Sequence, residues 1–244
     1  VVFDDASDFP ARNYLGVFQN IHVLCSEKNV GPAVGRNRLL EFAKTPYIHF
    51  HDADDWFFPA WWGRTQKGLQ NQDAVFCEVS SYAGNELLSE RVVGLTDLSS
   101  ERDLVRFCLS HSMLVPCGTY LAEKIRQMGV YNEKLWQSED IDFHVRLAAQ
   151  GLRYEIIQDA LVGIQIRQES RSRDFLATRL SLLQSLKTLP GVLSSHYYAD
   201  LSERLVETGS QLFKLKAREE AREAFQLALS LADPHYHKSG RFYK

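Results

Sequence analysis

The chain has 244 residues, of which 45% are hydrophobic and 24% charged, with a formal net charge of −3. That composition is ordinary for a globular protein, and the length suits one large domain with an appendage. The slight acidity leaves no bulk electrostatic case for a nucleic-acid partner, and every apolar run falls short of the ~20 residues a membrane span needs.

The first 60 residues alternate between strand-like and helix-like segments. Residues 1–3 are an apolar run, a strand already under way at the first residue, so an upstream segment is expected. The run ends in the turn-like cluster Asp4-Asp5-Ala6-Ser7-Asp8. Residues 21–25 are the second strand candidate. Pro32 suits the first position of a helix over residues 33–44, and Pro46 stops it. Residues 47–50 are the third strand. Strand, loop, helix, strand, with acids at the strand ends, is the α/β pattern. In open α/β sheets ligands bind beyond the carboxyl ends of strands. Asp4, Asp5, Asp52, Asp54 and Asp55 all fall there.

Further along, the pattern predicts a helix over 61–70, a strand over 74–80, a turn at Gly84-Asn85 and a helix over 104–109. A helix over 121–128 ends at Gly129, and Ser138 caps a helix over 139–150 that Gly151 ends. Residues 154–157 and 161–166 read as two late strands. From about residue 173 the texture becomes helical, over 174–189 and 199–231. Leu205, Gly209, Leu212, Ala221, Phe225 and Ala228 follow the small/large spacing of one tetratricopeptide-like hairpin. One such unit cannot make a solenoid; it either packs on the sheet domain or binds a protein partner. Cys25, Cys77, Cys108 and Cys117 are scattered without a CxxC pair and read as buried thiols, not disulfides.

The stretch His49-Phe50-His51-Asp52-Ala53-Asp54-Asp55-Trp56 crowds three carboxylates into four residues. Like charges this close raise one another's pKa. A cation among them would offset the cost, and oxygen-only ligands suit Mg²⁺ or Mn²⁺. The bland reading is an acidic turn or a helix cap. His49 and His51 read as packing residues, with His51 able to supplement a metal site. Asp4-Asp5 either turns the chain or accepts hydrogen bonds from a nucleobase or ribose. Gly31 to Asn37 opens a helix with small residues, and Arg36 there either meets a base or phosphate or is simply solvated. Glu139 and Asp140 in a first turn are favoured by the helix dipole, which would depress the Asp140 pKa. Asp140 could serve as a general base, and it shares a face with His144. Asp142 and Arg146 read as a surface pair. Arg167, Arg171 and Arg173 form a basic cluster that either faces solvent or closes over a diphosphate.

Four motifs carry a resemblance: V-V-F-D-D-A-S-D (1–8), N-V-G-P-A-V-G-R-N (29–37), Y-I-H-F-H-D-A-D-D (47–55) and S-E-D-I-D-F-H-V-R-L-A-A-Q-G (138–151). Together, in this order, they resemble the family 2 glycosyltransferases of the GT-A fold, over roughly residues 1–175. The resemblance implies a mixed α/β sheet flanked by helices in a domain over 1–172, with its first strand upstream of Val1, and a helical extension over 173–244. It implies that Asp4 and Asp5 hold the base and that Arg36 contacts the nucleotide. Asp52 and Asp54 become the DxD motif for ribose and metal–diphosphate, with Asp55 sharing that task and Arg171 and Arg173 serving the donor. Asp140 becomes the base that deprotonates the acceptor hydroxyl, and Glu139 helps place the acceptor. The implied reaction is inverting, assisted by Mn²⁺ or Mg²⁺, from a nucleotide-sugar donor (a UDP-sugar) to a glycan, lipid-linked or protein acceptor. The implied location is cytoplasmic, or peripheral to the inner face of the membrane. No Q-x-x-R-W motif is present, which favours a single addition. Rival readings are a sugar-nucleotide nucleotidyltransferase, an aspartyl phosphotransferase and a non-catalytic transferase-like scaffold.

Overall fold

The computed structural model describes residues 1–167 and 174–232. Two sheets carry the α/β part. Strands β1 (Val2–Asp4) and β2 (Val23–Cys25) pair in parallel, joined by a connection that holds the short helix α1 (Arg12–Leu15). Helix α2 (Pro32–Phe42) begins at Pro32 as expected. It lies on this small sheet because Gly35 has no side chain: a Cβ there would come within 2.8 Å of the Phe3 ring.

The larger sheet has six strands: β3 (Tyr47–His49), β4 (Trp56–Phe57), β5 (Ala74–Ala83), β6 (Glu86–Ser89), β7 (Gly118–Leu121) and β8 (Tyr154–Gln165). Their order is β3-β7-β5-β8-β4, with β6 paired to β5. Only the β5–β8 pairing is parallel, so the sheet is mixed, as expected. Strands β3 and β4 lie at opposite ends of that order although only residues 50–55 separate them. The sheet curls until its ends meet, and His49 of β3 touches Phe57 of β4, ring centroids 5.1 Å apart. Curling therefore suspends the acidic loop between the two end strands.

Strand β5 is buried on both faces from Ala74 to Ser81, which suits its apolar start Ala74-Val75-Phe76-Cys77, and the buried Glu78 within it accepts from the Val93 and Leu95 amides. The two expected late strands are one. The register passes from Cys77 opposite Ile157 to Glu78 opposite Ala160, so the polar pair Gln158-Asp159 is a bulge inside β8.

Helices α3 (Trp61–Gly68), α4 (Leu95–Glu101), α5 (Leu104–Ser110), α6 (Ala122–Met128) and α7 (Glu139–Ala148) flank the sheet, and α6 ends at Gly129 with φ 87°. Helix α4 and strands β4, β6 and β7 were not expected from the sequence. Helices α8 (Phe175–Thr188), α9 (Tyr198–Lys214) and α10 (Arg218–Ala232) follow. They pack onto the α/β part: Arg106 of α5 grips Asp200 of α9 at 2.8 and 3.3 Å, and Thr178 of α8 donates to Gln137 at 2.8 Å. Among the described residues no helix is long and apolar enough to cross a membrane. Cys77, Cys108 and Cys117 are buried as expected, whereas Cys25 is exposed at the end of β2; all four are free.

Helices α9 and α10 form the expected hairpin, and they pack closely at Gly209, where a Cβ would lie 2.9 Å from the Phe225 ring. Gly209→Val should cost about 1–3 kcal/mol through overpacking, read by urea denaturation. Unchanged stability would show that the hairpin does not pack this closely.

Candidate functional site

Three chain segments converge on one guanidinium. Arg36 of α2 donates from Nη1 to Glu139 Oε1 at 2.6 Å and from Nη2 to Asp52 Oδ1 at 3.1 Å. Its carbon lies 5.4 Å from the centre of the Tyr131 ring. Arg36 is 8% exposed and Glu139 likewise 8%. Burial works against the charge, but Tyr131, Asp52 and Glu139 outweigh it and hold the Arg36 pKa above its ordinary value. Sequence reading named Arg36, Asp52 and Glu139 separately; the fold makes them one unit.

The neighbouring residue secures the platform. Asn37 donates to the Tyr131 carbonyl at 3.0 Å and accepts from the Tyr131 amide at 2.9 Å. Tyr131 in turn stacks on Phe143 of α7, ring centroids 4.1 Å apart. Asn37 and Tyr131 were missed, and the only signal for either was the Arg36-Asn37 pair closing the second motif.

The aspartates at the end of β1 are engaged by the chain's own backbone. Asp4 accepts from Ser7 at 3.0 Å and Ala11 at 2.7 Å, and bonds from Ser7 and Ala11 hold its pKa low. Asp5 accepts from Val30 at 2.7 Å and Gly31 at 2.8 Å, tying β1 to the start of α2. Each oxygen keeps a further lone pair for a ligand.

In the acidic loop the three carboxylates have different fates. Asp52 meets Arg36, and Asp54 meets Arg167 at 3.2 Å. Asp55 has neither. Burial, and then the charges of Asp52 and Asp54, push its pKa up to about 7. The donors are all oxygen, the set that suits Mg²⁺ or Mn²⁺. Among the described residues no group of three or more His, Cys, Asp or Glu is arranged around one ion. One or two carboxylates suffice for Mg²⁺ when substrate phosphates complete its shell, so the loop fits a shared ion and not a protein-only cage. His49 is packed as expected, its Nδ1 3.1 Å from Thr119 Oγ1, and burial pushes its pKa down to about 3. His51 stacks on Phe57, ring centroids 4.0 Å apart, and its buried Nε2 has no hydrogen-bond partner among the described residues.

Helix α7 corrects three expectations. Ser138 precedes the helix but does not cap it: its φ is 55° and its side chain makes no cap bond. The dipole does not depress the Asp140 pKa. Burial raises it well above its ordinary value, Glu139 adds to the rise, and the opposing pulls of Arg36 and the backbone amides are smaller. The Asp142–Arg146 pair is not on the surface: Asp142 is 1% exposed, and Arg146 grips it at 2.7 and 2.8 Å while donating to the Gly129 and Val130 carbonyls. His144 does not touch the Asp140 carboxylate. Its Nδ1 donates to the Asp140 carbonyl oxygen at 2.8 Å, and its Nε2 accepts from the Tyr120 hydroxyl at 2.6 Å. Arg171 and Arg173 lie outside the described residues.

The sequence profile of Glycosyl transferase family 2 matches residues 1–128. The pre-mycofactocin glycosyltransferase of Mycobacterium tuberculosis is 27% identical over 226 residues, covering 80% of this chain and 44% of that protein. The succinoglycan biosynthesis protein ExoU of Rhizobium meliloti is 28% identical over 191 residues, covering 70% of this chain and 55% of its own. The chain thus spans about half the length of these relatives. Among solved structures, S. aureus TarS 1-349 in complex with UDP-GlcNAc superposes with a TM-score of 0.68 at 19% identity, covering 97% of this chain and 73% of that one. Mannosyltransferase PcManGT from Pyrobaculum calidifontis, in complex with GDP-Man and Mn²⁺, gives a TM-score of 0.58 at 15% identity, covering 98% and 72%. At these identities the likeness establishes a shared fold.

The central pairing predicts a specific energetic pattern. Arg36→Met leaves Glu139 buried without a partner and should destabilise the protein by about 3–5 kcal/mol, and Glu139→Gln on top of it should recover much of that loss. Urea denaturation of the single and double variants measures both. A single-variant loss below about 1 kcal/mol would mean the pair is solvated.

Proposed function

The chain belongs to glycosyl transferase family 2 and has the GT-A fold, and from that premise we propose that it transfers a sugar from a nucleoside-diphosphate sugar to an acceptor hydroxyl with inversion at the anomeric carbon. The observation that carries this reading is the Arg36 unit, which fixes the acidic loop and the Glu139-Asp140 turn at one place. A donor-binding acid and a proton acceptor are then held together by a rigid cation.

The roles follow from each group's surroundings. Asp4 and Asp5 lie at the end of β1 with lone pairs left for the base or ribose. Arg36 positions Asp52 and Glu139, and also places positive charge beside the nucleotide. Asp52, Asp54 and Asp55 would hold a divalent cation, Mn²⁺ or Mg²⁺, which when bound neutralises charge on the leaving nucleoside diphosphate. Asp140 takes the proton of the acceptor hydroxyl. Its raised pKa makes it a stronger base than an ordinary carboxylate, and general bases work best with a pKa near the operating pH. Glu139, locked by Arg36, helps place the acceptor. The hydroxyl attacks from the face opposite the leaving group, so one displacement inverts the configuration, as in inverting glycosidases with water replaced by an alcohol. TarS is solved with UDP-GlcNAc and PcManGT with GDP-Man; a UDP-sugar is the donor proposed for this chain.

Asp54→Asn should abolish the metal-dependent rise in melting temperature produced by UDP or GDP with Mn²⁺, since a ligand of the folded state stabilises it. A retained shift would remove Asp54 from the donor site. Asp140→Asn should leave that shift intact and lower kcat by about 10²–10⁴-fold; near-normal turnover would end its assignment as the base. For the native chain, a base must be ionised to act. The rate should therefore fall as pH drops through about 7, well above the ordinary aspartate range; a pH-rate profile flat down to about 5 would contradict this.

A further inference from the structure

Beyond the acidic loop, three strands present one continuous row of side chains. The register sets Trp56 of β4 opposite Gly163 of β8, and Tyr82 of β5 beside Gln165 of β8. Ser80 is also beside Gly163. Alternation along a strand puts residues two apart on the same face. Trp56, Gly163, Gln165 and Tyr82 therefore share a face. Gly163 is a gap in that row, and the indole of Trp56 lies across it: a Cβ at 163 would be 2.3 Å from Trp56 Cε2. The indole thus bridges β8 and reaches Tyr82, with ring centroids 5.0 Å apart and planes at 55°.

The floor of this shelf is pinned. The Gln165 carboxamide accepts from the Gly84 amide at 3.2 Å and donates to the Gly84 carbonyl at 2.9 Å, fixing the turn that carries Asn85. Trp56, Tyr82, Gly84, Asn85 and Gln165 together line a concavity of about 330 Å³. Both rings stay partly open and Asn85 is exposed. Among the described residues no charged side chain lines it. The concavity borders the acidic loop. Trp56 follows Asp55 directly, the Gln165 backbone donates to Asp55, and Arg167, two residues beyond Gln165, holds Asp54.

Two large ring faces with a carboxamide at the rim form a neutral, half-apolar surface that offers both donors and acceptors. A pyranose ring has the matching chemistry, with one face of C–H groups and a perimeter of hydroxyls that each donate and accept. Ligand sites are generally concave and mostly apolar, with a few polar groups that fix orientation. We propose that the Trp56–Tyr82 shelf is a subsite for a pyranose ring of the acceptor, held next to the acidic loop. The acceptor assignment rests on the transferase reading; sugar binding by the shelf does not.

The test is a titration of the whole chain by ¹H–¹⁵N NMR, following the Trp56 indole N–H and the Asn85 carboxamide. Signals are assigned with Trp56→Phe and Asn85→Ala. The probes are the methyl α- and β-glycosides of glucose, galactose and mannose without nucleotide, and separately uridine, UDP and UDP-glucose. At least one pyranoside should shift the Trp56 signal. Tyr82→Ala should weaken that binding about tenfold and Asn85→Ala, in an exposed turn, severalfold, while the nucleotide-induced melting shift stays unchanged. The proposal is overturned if no pyranoside moves the Trp56 signal, or if both variants titrate like the native chain. It is equally overturned if only uridine, UDP or UDP-glucose moves it, which assigns the shelf to the donor. If no nucleotide binds the native chain yet pyranosides still move Trp56, the transferase reading fails and the shelf stands as a sugar site.

Discussion

A buried guanidinium must be satisfied or the fold does not form around it. Arg36 meets that demand with Asp52 from the acidic loop and Glu139 from the start of α7, over the face of Tyr131. Those partners come from parts of the chain far apart in sequence, so the ion pairs form only when the tertiary structure is complete. Asn37 locks Tyr131 from one side and Phe143 from the other. The curl of the larger sheet delivers the loop to the same point. The site is therefore a consequence of one charge that the fold has to accommodate.

The carboxylates around that charge have different surroundings. Asp52 pairs with Arg36 and Asp54 with Arg167, whereas burial pushes Asp55 and Asp140 above their ordinary values. A raised pKa is what the base role proposed for Asp140 calls for. Asp52 and Asp54 sit in the acidic loop, each in contact with an arginine. Beneath Asp140, the neutral His144 links the backbone of α7 to Tyr120. It supports the turn without adding charge to it.

Much of this was legible in the sequence because local patterns encode it. Pro32 starts α2 and Gly129 stops α6 by backbone preference alone. Asp52, Glu139 and Arg36 stood out through their motifs. What local pattern could not carry was the pairing. Nothing near Asn37 announces Tyr131, 94 positions away. Strand β4 is two residues long and read only as an aromatic run. Gln158-Asp159 read as a break between strands because a bulge is defined by its partner strand. The Asp140 pKa was given the wrong sign for the same reason. The helix dipole is a local effect, and the burial that overrides it comes from residues distant in sequence.

The central claim is that this site binds a nucleoside diphosphate through a divalent ion. The most direct measurement is a calorimetric titration of the native chain with UDP, GDP, dTDP and CMP, each with and without Mn²⁺. Binding of one nucleoside diphosphate that requires the metal is the result expected. Absence of binding by all four, with and without Mn²⁺, would contradict the account.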